Sequence, residues 1–122
     1  MRMTVVTDAV GDLTRALDSG TGLAVTSDPG LTLAALPAAV IGPPRLTWES
    51  GNLDPTEATF IVYLVVDADQ YAIERMLDLV TEVSNAVDQF MPNAAVTQAD
   101  PGVFPSGAEQ LPCYDVQIEV SL

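Results

Sequence analysis

The sequence predicts an α+β fold, a single domain in which a mainly antiparallel sheet packs against two helices. Three observations carry this. The chain has 122 residues, enough for one core and no second independent one. Two stretches, residues 4–18 and 67–90, repeat apolar side chains at helical spacing. Residues 57–66 form an apolar strand-type run, and the last ten residues alternate apolar with polar. A hydrophobic content of 48% makes the chain globular.

In the first helix Val5, Val6, Ala9, Val10, Leu13, Ala16 and Leu17 share one face, with Thr4 as N-cap and Gly20 and Gly22 as stop signals. Residues 23–26 form a short strand, closed by the turn Asp28-Pro29-Gly30. Residues 33–41 are apolar but interrupted by Pro37 and followed by Gly42-Pro43-Pro44, which predicts an edge strand or extended arm continuing through residues 46–49. Ser50-Gly51-Asn52 and Asp54-Pro55 mark a loop.

Residues 57–66 predict a central strand. Ala58, Phe60, Val62, Leu64 and Val66 make one wholly apolar face, and Glu57, Thr59, Ile61, Tyr63 and Val65 the other. The second helix begins at Asp67, whose spacing to Gln70 suits a capping box. Ile73, Met76, Leu77, Val80, Val83, Val87 and Phe90 form its buried stripe, opposite Glu74, Asp78, Glu82 and Asp88. Residues 94–98 suit a strand. Residues 99–112, with three prolines and two glycines, predict a long loop. In the final strand Tyr114, Val116, Ile118, Val120 and Leu122 face the core, opposite Asp115, Gln117, Glu119 and Ser121.

Composition excludes much chemistry. The chain has neither histidine nor lysine, so it has no P-loop, no Schiff base, no imidazole metal ligand and no Ser-His or Cys-His nucleophile pair. With 17 acidic residues against four arginines, the net charge of −13 argues against nucleic-acid affinity. One cysteine permits no internal disulfide. No apolar leader opens the chain, and the longest apolar run, residues 60–66, is far too short to span a bilayer.

The remaining candidates read as structural. Asp8 and Asp12 share a helix face, but no third ligand is spaced to complete a cation site. Asp67-Ala-Asp69 lacks the following ligand and glycine positions of a calcium loop, and Gly20-Thr-Gly22 lacks the third glycine of a dinucleotide turn. Cys113, in acidic surroundings, reads as a packed or idle thiol. Tyr71 and Arg75 are spaced to stack. Trp48 and Arg45 are residue types enriched in interfaces, although Trp48 serves equally as a core anchor.

The order and texture of nearly the whole chain resemble the tail terminator (tail-completion) proteins of long non-contractile-tailed bacteriophages. The resemblance lies in Leu36-Pro37-Ala38-Ala39-Val40-Ile41-Gly42-Pro43-Pro44, in the strand and helix from Phe60 through Asp67 and Glu74 to Val80, and in Leu111-Pro112-Cys113-Tyr114 opening the last strand. It implies a structural virion protein at the tail–neck junction, without catalytic residues or cofactor. It would form a homo-oligomeric ring, usually a hexamer, that ends tube polymerisation. Its partners would be the tail tube protein and a neck or head-closure protein, with no membrane involved and DNA passing through without specific binding.

On that reading an acidic lumen keeps a passing polyanion from sticking. Asp115 and Glu119 are the expected lumen residues; Pro43, Pro44, Arg45 and Trp48 the expected subunit interface; and Asn52, Asp54, Val103 and Phe104, in two loops, the expected tube and neck contacts. The alternatives are a head-closure (stopper) or tube protein of the same machine, and a ferredoxin-like dimeric ligand-binding module. An enzyme working through carboxylates alone has little room for a cleft in so small a domain.

Overall fold

A computed structural model describes residues 4–27, 36–106 and 109–122. The Asp28-Pro29-Gly30 turn, residues 33–35 of the apolar stretch and the side chain of Thr4 lie outside the described residues. The elements are α1 (Thr4–Gly20), β1 (Ala24–Thr26), β2 (Ala38–Ile41), β3 (Arg45–Thr47), β4 (Glu57–Val65), α2 (Ala72–Phe90), β5 (Ala94–Ser106) and β6 (Glu109–Ser121). The sheet runs β1-β2-β4-β6-β5, with β3 pairing the free half of β4. All pairings are antiparallel except β1 with β2. This is the α+β arrangement of two helices and a mainly antiparallel sheet that the sequence predicts.

Both helices cover one face of the sheet. Leu13, Leu17, Val83 and Val87 meet Phe60, Val62, Leu64, Val116, Ile118 and Val120 in one buried cluster. The strand alternation read in β4 and β6 supplies that face, and burying each large aliphatic there contributes about 1.5–3 kcal/mol. Chain order β4–α2–β5, with β6 inserted between the two strands, makes a split strand–helix–strand unit.

Residues 107–108 lie outside the described residues, while residues 99–106 and 109–112 of the expected loop are strand. They continue β5 and open β6 as one long hairpin, paired from Ala94–Val120 to Ser106–Glu109. The prolines fit because they occupy every second cross-strand pair: Pro101–Tyr114, Val103–Pro112 and Pro105–Gln110. In an antiparallel ladder alternate pairs point their N–H groups away from each other, and only there is a missing donor harmless. The Pro112 carbonyl accordingly turns outward and accepts the Val66 N–H at 3.2 Å.

The expected edge strand or arm is also different. All four residues of β2 are buried, between β1 and β4. Gly42-Pro43-Pro44 then kinks the chain. Ile41 pairs with Val62 but Arg45 with Thr59, so one extra residue bulges out. Gly42 donates to the Ile61 carbonyl at 2.9 Å, and a Cβ there would stand 3.1 Å from that oxygen. β2 and β3 are therefore one strand bent around the rim of β4, with Pro43 and Pro44 in the bend.

The second helix starts at Ala72, not Asp67, and the capping box does not form. Asp69 accepts the Tyr71 N–H at 2.8 Å, and Arg75 bonds Asp69 at 2.9 Å and the Asp67 carbonyl at 3.1 Å instead of stacking on Tyr71. The buried arc is Ala72, Met76, Val83, Ala86 and Val87. Ile73 and Leu77, expected inside, are 67% and 50% exposed, and Phe90 is exposed as well. The small side chains Ala72 and Ala86 lie at the contact, which leaves the larger ones at the flank.

Candidate assembly surfaces

The sheet face away from the helices changes character along its length. At one end Val40, Val65, Leu111 and Cys113 are buried beneath Leu36, Tyr63 and Phe104. The Tyr63 and Phe104 rings lie 5.6 Å apart at 51°. Cys113, inside β6 rather than before it, has its thiol pushed up to about 12, first by burial and then by the neighbouring Asp115 carboxylate. This is the inert thiol that the sequence suggests.

Toward the other end the face turns polar. Asp115 pairs across β6 with Asp100 of β5, so two carboxylates stand directly opposite, a destabilising arrangement. Gln98 donates to Asp100 at 2.7 Å. Gln117 and Glu119 follow along the same face of β6, with Glu119 between Thr59 and Ala95. Both expected lumen residues, Asp115 and Glu119, thus share one half-buried sheet face. Asp100 belongs to this face and was hidden in sequence by the proline-rich reading of its neighbourhood.

Arg45 joins the same face from the opposite side. It pairs with Thr59, which pairs with Glu119, so β3, β4 and β6 present Arg45, Thr59 and Glu119 as a transverse row. Arg15 and Arg75 pair with Asp12 and Asp69, whereas Arg45 makes no ion pair among the described residues. Trp48 follows β3 and donates its indole N–H to the Leu53 carbonyl at 3.3 Å, closing the loop that holds Asn52 and Asp54, both exposed. Pro43 and Pro44 line an apolar surface notch of about 290 Å³ with Val10 and Ile41. The four expected interface residues therefore lie along one edge of the sheet, on a paired strand and its bend.

The two expected contact segments occupy opposite ends of the sheet. The Trp48–Asp54 loop lies beside the end where Glu57 pairs with Ser121. Beyond the other end, at Val65–Cys113, four further pairs of the β5–β6 hairpin project without a β4 neighbour. The 13 residues of β5 span about 40 Å at the usual rise per residue. On that projection Val103 is 62% exposed, while Phe104 turns inward against Tyr63.

The surface depressions are shallow in chemistry. One of them, about 420 Å³, runs between α1 and residues 90–93 and holds the Asp12–Arg15 pair. Among the described residues no three His, Cys, Asp or Glu side chains are gathered to hold a metal ion, and no helix is long and apolar enough to cross a membrane. Comparison with known protein families and with curated proteins finds no match.

Proposed function

We propose that this chain is a tail terminator of a long non-contractile-tailed bacteriophage. It is a structural virion protein that closes as a ring, hexameric, on the tail tube, ends tube growth and joins the tail to the neck while DNA passes through. The likeness of residues 36–44, 60–80 and 111–114 to that family suggests the reading. The observation that supports it best is the separation of the Trp48–Asp54 loop and the projecting hairpin to opposite ends of one stiff sheet. A subunit held between two different neighbours along an axis needs contact surfaces arranged in this way. Asp115 and Glu119 line the bore on this reading, where carboxylates repel passing phosphate.

The test is the solution mass of the purified protein together with negative-stain images. An annular particle of several copies is expected, and a chain that remains monomeric overturns the reading. In the phage, loss of the gene is expected to leave overlong or unjoined tails, whereas leaking heads point to a stopper instead. Asp115→Asn with Glu119→Gln is expected to preserve assembly and slow DNA ejection; unchanged ejection removes these residues from the bore. The split strand–helix–strand unit favours a second reading, a ferredoxin-like dimeric ligand-binding module. Stabilisation by a small molecule in a thermal-shift screen would support that module.

A further inference from the structure

We infer that the flank formed by β5 and the exposed side of α2 docks the β3 edge of a second copy of this chain. This deepens the ring reading and rests on it, because it names both halves of the seam between neighbouring subunits. A ring requires a head-to-tail contact, in which two different patches of the same chain meet. The sheet order puts β5 at one edge and β1 and β3 at the other, so patches on the two edges meet when subunits stand side by side.

The two edges complement each other on both sides of the sheet. On the helix side, the β5 flank exposes Ile73 and Leu77, large apolar side chains left uncovered by their own domain. Ile73 and Leu77 are four apart on α2 and so adjoin on its surface, and adjoining exposed apolar side chains mark contact sites. The opposite edge carries apolar groups of its own, with Trp48 exposed and Pro43 and Pro44 at the bend. On the other side of the sheet the complement is ionic. Asp100 sits at the β5 edge facing the like-charged Asp115, and no arginine among the described residues pairs with it. Arg45 sits at the β3 edge, the arginine without an ion pair among the described residues, in a chain of net charge −13. Arg45 of one copy against Asp100 of the next relieves both, while the bend at Pro43 and Pro44, further along the same edge, faces Ile73 and Leu77.

Backbone pairing between the two edges is not the means of contact. Pro101 and Pro105 remove donors from the outer side of β5, so side chains carry the seam.

The test compares the solution mass of the wild-type chain with Arg45→Asp, Asp100→Arg, the Arg45→Asp/Asp100→Arg double variant and Ile73→Glu/Leu77→Glu. These positions are exposed, so the fold should persist, and circular dichroism checks it. Each single charge reversal and the apolar pair variant are expected to weaken assembly at least about tenfold, and the double reversal to restore it. A wild-type ring that survives Arg45→Asp or Ile73→Glu/Leu77→Glu overturns this seam and leaves the ring reading standing. Single reversals that break the ring without recovery in the double variant overturn the Arg45–Asp100 pairing. A wild-type chain that is monomeric at every concentration overturns the ring reading itself, and this seam with it.

Discussion

Gly20, the last residue of α1, lies against Ala86 of α2 so closely that a methyl group on Gly20 would come within 2.4 Å of the Ala86 Cβ. It would also stand 3.1 Å from the Ala86 Cα. The sequence suggests a helix-stop role for this glycine. The contact shows another: absence of a side chain lets the two helices touch.

Gly20→Ala therefore sets two effects against each other. Alanine improves helix propensity by up to ~1 kcal/mol. Overpacking costs typically ~1–3 kcal/mol, and the Ala86 Cβ is fixed to its backbone and cannot swing aside. The steric effect wins, with a net loss of about 1 kcal/mol. Urea unfolding measures it, and adding Ala86→Gly is expected to recover most of the loss. An unchanged midpoint in Gly20→Ala would show that the last turn of α1 gives way freely.

Cys113 makes stability depend on alkaline pH. Its folded thiol is pushed up to about 12 from an ordinary value of 9.0, so the folded state favours the protonated form. The resulting stability is fully present below the unfolded value and is lost as pH rises through the window from about 9 to about 12. Stability curves of the wild-type chain and Cys113→Ala should therefore converge or cross over that interval. At pH 8 the folded thiol should resist a thiol reagent and react on unfolding. Asp115→Asn removes one of the two smaller causes and should lower the thiol's value while leaving burial, the larger cause, in force.

Pro101 and Pro105 protect the long edge of β5. A 13-residue edge strand is a template for pairing with other chains, and proline is one of the devices that blunts it. Pro101→Val with Pro105→Val restores two outward donors without disturbing pairs in the β5–β6 ladder. Thermal stability should stay within about 0.5 kcal/mol of wild type. Light scattering of concentrated solutions should rise markedly. Equal scattering from the two proteins would remove the protective role.

The sequence by itself determined the fold class, both helices, the central strand β4 and the alternating face of β6, because each has an apolar period that only one local geometry can bury. It determined as well that these residues offer no histidine or lysine chemistry and no internal disulfide, since composition needs no coordinates. Tertiary structure alone decided the fate of residues 99–106 and 109–112, of residues 38–41, and of Ile73 and Leu77. Proline forbids a ladder only at one phase of the cross-strand pairing, and that phase is set by the partner strand. A helix likewise shows which apolar residues it buries only once a neighbour has chosen its contact line, here drawn along Ala72 and Ala86. The meeting of Asp100 with Asp115, and of Arg45 with Thr59 and Glu119 in one row, is a matter of register between strands far apart in the chain, which local spacing does not encode.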